Sequence, residues 1–155
     1  HALDAIGSID HTAFGLLGTN LQRYCARDIN VRQRWADLIE NLNTRFPDLM
    51  LVDLAKRNRI PADYALLRYP VAVTDPARRN RICALLAEQG LGASIMYPAA
   101  LADLPVLPID SCRIHGQTNE RLFAQCFLTL PTHEAVTQAV IDQTGMTIAR
   151  ASSVN

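Results

Sequence analysis

A chain of 155 residues, 49 % of them hydrophobic, can bury one substantial core or fill out part of a larger one. Lysine plus arginine balance aspartate plus glutamate at 15 each, so the chain lacks the long-range field that steers proteins onto nucleic acid or anionic membranes. No run approaches the roughly 20 consecutive apolar residues of a membrane span, and the start, His1-Ala2-Leu3-Asp4, has neither a basic n-region nor an apolar h-region. Partners of both classes, nucleic acid and membrane, are therefore not expected.

From Asp10 to about Phe46 the apolar spacing is helical, through Phe14, Leu17, Leu21, Tyr24 and Cys25, then Val31, Trp35, Leu38, Ile39 and Leu42. Asp10 suits an N-cap and Pro47 ends the run, while Asp28 and Asn30 break the rhythm where two helices meet at a bend. Gly15 and Gly18, one turn apart inside the first helix, each cost about 1 kcal/mol of propensity against alanine, so close approach of another backbone is expected there.

Residues 47–63 read as a connection in which Leu49-Met50-Leu51-Val52 is either a short strand or a helical turn. A strand is expected over Tyr64–Val73, with Pro70 placing it at an edge or near a strand start because proline cannot donate to a ladder. Next comes a helix with Thr74 or Asp75 as cap, Pro76 in its first position, Ile82, Leu85 and Leu86 on its stripe, and Gly90 as a left-handed terminator. Gly92–Tyr97 reads as a strand stopped by Pro98.

Ala99–Thr118 carries Pro105, Pro108 and Gly116 with little periodicity and reads as a long, functional loop. A short helix over Asn119–Gln125, a strand over Cys126–Leu130 and a last helix from Thr132 to about Gln143, closed by Gly145, complete the chain. The expected fold class is α/β of the two-layer α+β kind: a small mixed or antiparallel sheet of three to four strands with helices packed on one face. One domain is expected overall, with 1–46 as an opening helical segment, 47–150 as the α/β sandwich and 151–155 as a fraying tail.

The chemistry-bearing residues are sparse. Cys25, Cys83, Cys112 and Cys126 form no C-x-x-C and have no histidine at ligand spacing, so no metal site is expected. Cys25, Cys83 and Cys126 lie among apolar neighbours, which reads as core packing in a reducing, cytoplasmic setting. Lys56 is the sole lysine against fourteen arginines, and its run Lys56-Arg57-Asn58-Arg59 reads as a solvated connection rather than the desolvated pocket of a nucleophilic lysine. His11 beside Asp10 fits a cap with an exposed neighbour, and His115 has no visible partner. Ser94 and Ser111 have no histidine and acid at a readable spacing for a triad.

One resemblance covers nearly the whole chain. Ala13-Phe14-Gly15-Leu16-Leu17, Leu21-Gln22-Arg23 and Arg32-Gln33-Arg34-Trp35-Ala36 resemble the helical pair that opens the C-terminal small domain of the DegT/DnrJ/EryC1/StrS aminotransferases. Tyr69-Pro70-Val71 is similar to that family's first small-domain strand, and Ala87-Glu88-Gln89-Gly90-Leu91-Gly92 with Met96-Tyr97-Pro98 to its helix, glycine turn and strand ending in Tyr-Pro. Leu128-Thr129-Leu130-Pro131-Thr132-His133 resembles its final strand and the start of its last helix, where His133 would be structural.

The resemblance implies the small domain of a fold-type-I enzyme that moves an amino group from an amino acid to a keto-sugar through pyridoxal 5'-phosphate. It also implies that the lysine, acid and stacking aromatic that hold the cofactor lie in a large domain N-terminal to this region, so the chain alone should neither hold the cofactor nor catalyse. Its partners would be that large domain or a second copy, with a nucleotide-sugar or keto-sugar as substrate. Tyr97 is the residue that carries over as facing the substrate. Three departures stand out: Asp4-Ala5-Ile6 replaces the family's Asn-x-Arg toward the cofactor phosphate, and Met96 and Leu101 flank the Tyr-Pro where many members carry histidines. They favour a rival reading, a non-catalytic binding or dimerisation module that keeps the fold. A free-standing small-molecule-binding α/β domain is the third possibility.

Overall fold

The computed structural model describes residues 11–25, 29–100, 103 and 117–152. In chain order these form α1 (His11–Cys25), α2 (Ile29–Arg45), a 3₁₀ turn (Pro47–Leu49), β1 (Leu51–Asp53), α3 (Leu54–Arg57), β2 (Arg68–Val73), α4 (Pro76–Glu88), α5 (Gln117–Cys126), β3 (Phe127–Pro131) and α6 (Gln138–Ser152). The three strands make an antiparallel sheet in the order β1-β2-β3, with Leu51 opposite Val73, Tyr69 opposite Leu130 and Val71 opposite Leu128. The expected α+β class is the one observed.

Side chains alternate across a strand, so the register assigns the two faces of the sheet. Leu51, Tyr69, Val71, Val73, Leu128 and Leu130 share one face and are all buried. Against it lie Val31, Trp35, Ile39 and Leu42 of α2, Ile82 and Leu86 of α4, and Ile141 and Ile148 of α6, in one continuous cluster. Residues 29–45 thus contribute side chains to the sandwich core. The opposite face carries Val52, Pro70, Ala72, Phe127, Thr129 and Pro131, with Arg68 at its end.

Polar contacts join the layers. Trp35, with no exposed surface, donates its indole N–H to the Pro131 carbonyl at 2.8 Å. The Asn43 amide on α2 pairs with both backbone groups of Leu51, donating at 2.8 Å and accepting at 2.9 Å, so it occupies part of the outer edge of β1 as a further strand would. Buried Arg79 of α4 donates to the Ala124 carbonyl at 3.0 Å and to the Gln125 carbonyl, placing a cation on the C-terminal turn of α5.

Several expectations fall differently. Pro70 lies in the central strand, yet β1 stops at the Asp53–Val71 pair, so β2 has a single neighbour at the proline and no second ladder is lost there. Gly92–Tyr97 is not a strand: only Ser94 pairs, as an isolated bridge to Thr129, because Gly90 and Gly92 both take left-handed backbone and turn the segment. The last helix starts at Gln138 rather than Thr132, whose hydroxyl instead meets the carbonyls of Leu66 at 2.6 Å and Leu67 at 2.8 Å.

Gly145 does not end that helix either. It lies inside α6 where a Cβ would stand 2.6 Å from Leu38 Cδ1, so its role is close passage of α2 against α6. Conversely, a Cβ at Gly15 or Gly18 would meet nothing within 4 Å, so the expected close approach in α1 is absent within the described chain. α6 also runs to Ser152 with Ala151 buried, two residues into the expected tail. The capping position Asp10 and the junction residue Asp28 lie outside the described residues.

The α4 terminus follows its sequence grammar. The Asp75 carboxylate accepts from Ala77 N–H at 2.9 Å with Pro76 in the first turn. At the other end Gly90 has φ +67, its N–H donates to Ala87 C=O at 3.0 Å, and Leu91 N–H donates to Leu86 C=O at 2.9 Å, the two bonds of a Schellman motif. A β-branched side chain in that left-handed conformation is strained, so Gly90→Val should cost on the order of 1–2 kcal/mol in chemical denaturation. A neutral result would mean the turn does not need its glycine.

Candidate functional site

Tyr97 stands on the segment that leaves the Ser94 bridge. Its ring is about half exposed, 5.6 Å from the Phe127 ring and 6.4 Å from that of Phe123, while Phe123 and Phe127 stack at 4.8 Å. Phe127 is buried on the second face of the sheet, and Phe123 lies one turn earlier on α5, so a strand end and a helix together present the tyrosine. Ile95 and Met96 on the same segment, and Leu122 and Phe123 on α5, are also exposed. Among the described residues the side chains around Tyr97 are therefore largely apolar.

The supports of that segment lie behind it. Ser94 and Thr129 exchange both backbone hydrogen bonds, at 3.0 and 2.9 Å. Arg68 Nε donates to Thr129 Oγ1 at 2.6 Å, and its Nη2 donates to the carbonyls of Thr129 at 3.1 Å and of Gly92. Further along, Arg121 of α5 holds Asp103 through a bidentate pair with contacts of 2.6 and 3.0 Å, which keeps the Asp103 carboxyl below the usual carboxylate range.

The sole lysine lies elsewhere. Lys56 sits on α3 with its ammonium in solvent, 3.2 Å from Glu40, an exposed pair of the kind worth about 0–1 kcal/mol. Beside it runs a cleft of about 550 Å³ between α2 and the residues after β1, lined by Arg32, Asp37, Glu40, Asp53, Arg59 and Tyr69 among others. Several of its polar groups are engaged within the protein. Arg32 donates to the Ile60 carbonyl at 2.6 Å and to that of Pro61, and Asp53 accepts from Lys56 N–H at 2.9 Å and from the Tyr69 hydroxyl at 2.6 Å. Burial and the neighbouring Asp53 carboxylate push the Tyr69 phenol far above its ordinary value, so it remains a donor rather than an anion. A solvent-facing lysine paired to Glu40, beside an acid already bonded to Tyr69, does not fit a pyridoxal phosphate cradle.

The remaining candidates take structural positions. Ser94 serves the bridge through its backbone, and His133 is exposed in the turn before α6, its carbonyl accepting from Val136 N–H. Cys83 and Cys126 are buried free thiols raised above the ordinary thiol range by burial. Asp4, Ile6, Leu101, Cys112, Ser111 and His115 lie outside the described residues, as do the side chains of His11, Phe14 and Cys25. Among the described residues no group of three or more His, Cys, Asp or Glu side chains is placed to hold a metal ion, and no helix is long and apolar enough to cross a membrane.

The stacked phenylalanines and the Arg68 contacts were not read from the sequence. Phe123 and Phe127 are four residues apart, a spacing that signals one face of a helix, but the helix ends between them. Arg68 precedes a strand and gives no periodic signal.

No protein-family model and no curated protein matches the sequence. Solved structures do resemble the fold. Those of "Putative sugar aminotransferase Spr1654 from Streptococcus pneumoniae" in its PMP, PLP and apo forms superpose with TM-scores of 0.51, 0.52 and 0.52 at 22 % identity, over 90 % of this chain. The chain spans 34 % of the length of each. It therefore has the fold of about a third of an aminotransferase.

If Tyr97 faces outward onto a site while Phe127 is the aromatic that completes the sheet, truncating the two should differ. Phe127→Ala should cost about 3–5 kcal/mol and Tyr97→Ala no more than about 1 kcal/mol in urea denaturation. Equal large losses would make Tyr97 a core cover and remove it from any site.

Proposed function

We propose that this chain is the C-terminal small domain of a DegT/DnrJ/EryC1/StrS-type aminotransferase, not catalytic on its own. The parent enzyme would transfer an amino group to a keto-sugar using pyridoxal 5'-phosphate, with Tyr97 facing the sugar or nucleotide-sugar. The observation that carries this reading is the fold shared with one third of a sugar aminotransferase. The α1 stripe supports it: Leu16, Leu17 and Leu21 are 62, 48 and 53 % exposed, an apolar row suited to packing on a large domain or a second copy. The boundaries 1–46 and 47–150 then separate a docking segment from a sandwich, with α2 shared by both. Cytoplasmic placement belongs to the same reading, supported by the unpaired thiols of Cys83 and Cys126.

When bound in the parent, the cofactor supplies the electron sink. This chain's part is to present the Tyr97 hydroxyl and the apolar side chains around it, and to exclude water from one wall of the site. The second reading, a binding or dimerisation module without chemistry, is favoured by one observation: Met96 beside Tyr97 is exposed and apolar where the resemblance leads one to expect histidines.

Sedimentation velocity tests the proposal. The chain should self-associate in the micromolar to millimolar range, and Leu17→Glu with Leu21→Glu should make it monomeric without lowering its Tm. A strict monomer at high concentration would remove the argument for a missing docking partner. Pyridoxal phosphate added to the chain should give no yellow, borohydride-reducible adduct at Lys56; a stoichiometric adduct lost in Lys56→Ala would overturn the claim that the cofactor lysine lies in a missing domain.

A further inference from the structure

We propose that Arg68 is the positioning residue for Tyr97, acting as a fork that holds the 92–94 segment onto the second face of the sheet. The proposal rests on the reading of Tyr97 as facing a site, and its geometry is independent of which substrate that site takes.

Among the described residues, the sheet has one further contact beyond β3, the two-bond bridge between Ser94 and Thr129. Pairing this short is marginal without further support. Gly92 and Gly90, both left-handed, lie immediately before it and leave the segment no regular structure of its own. Arg68 supplies the support. It starts β2, reaches past β3 on the face it shares with Thr129 and Pro131, and donates to the Thr129 hydroxyl, the Thr129 carbonyl and the Gly92 carbonyl. The Thr129 hydroxyl also lies 3.3 Å from the Ser94 carbonyl, so the guanidinium and the bridge share one fully buried threonine.

A guanidinium presents its donors in a fixed plane, so the spacing between Thr129 Oγ1 and Gly92 C=O is set by the fork; an ammonium is a point charge that cannot hold both. Three residues beyond Ser94, Tyr97 makes ring contacts with Phe123 and Phe127, and where its hydroxyl stands depends on where the bridge holds the chain. Arg68 acts through Thr129 and Gly92.

The test is NMR of the intact chain with Arg68→Met and Arg68→Lys. In both, amide exchange at Ser94 should accelerate about tenfold or more, and the Tyr97 ring resonances should move toward free-tyrosine values. The Trp35 indole N–H, bonded to Pro131 in the core, should keep its protection, and the Tm should change little. Should Arg68→Met fail to fold, Arg68→Lys and Thr129→Val, which removes the shared hydroxyl and keeps the backbone bridge, carry the same expectation. Unchanged Ser94 exchange and Tyr97 resonances in a folded variant, or full rescue by lysine, would overturn the proposal. A strictly monomeric chain with these Arg68 effects intact would instead sink the small-domain reading and leave the fork standing.

Discussion

The bond from the Trp35 indole to the Pro131 carbonyl joins the two halves of the molecule. A fully buried indole N–H must find an acceptor, and here it finds one at the end of β3, 96 residues along the chain. That fixes α2 against the sheet, and with α2 come the Asn43 amide on the edge of β1 and Leu38 against Gly145 of α6. The same proline faces the other way too. A Cβ at Gly92 would lie 3.3 Å from the Pro131 ring, so the segment that leads to Tyr97 rests on the residue that anchors the core. Core and candidate site are therefore placed by one strand end.

The two faces of the sheet differ in kind. One is filled by α2, α4 and α6 and leaves no buried side-chain polar atom without a partner among the described residues. The other carries Phe127, Thr129 and Pro131 beneath the Tyr97 segment, with Pro70, Ala72 and Val52 only half-buried. Among the described residues, then, one face of the sheet is fully packed while the other is partly covered, and α1 exposes Leu16, Leu17 and Leu21.

Where local chemistry and packing agree, the fold was legible from the sequence. α4 needed only Asp75, Pro76, its apolar stripe and Gly90, and each does what its residue type dictates. The glycines inside helices were misassigned because their role depends on a neighbour that sequence cannot place: Gly145 reads as a terminator until Leu38 is seen beside it. Gly92–Tyr97 has strand composition but follows left-handed Gly90, begins at left-handed Gly92 and makes a single bridge, so its composition alone is misleading. Tyr97 is marked by a resemblance in motif, whereas Arg68 of β2 comes to Thr129 and Gly92 from 61 and 24 residues away in the chain. Long-range assembly of this sort leaves no local pattern to read.

The described residues from α2 to α6 share one buried core, whereas Leu16, Leu17 and Leu21 of α1 are exposed. Hydrogen exchange of the intact chain, at dilution where it is monomeric, tests this most directly. Amides of Ile82 and Ile141 and the Trp35 indole should exchange only through global unfolding, while those of Leu16, Leu17 and Leu21 should exchange through local opening at far lower free energy. Protection of α1 equal to that of the core would mean instead that the helix already has its partner within this chain.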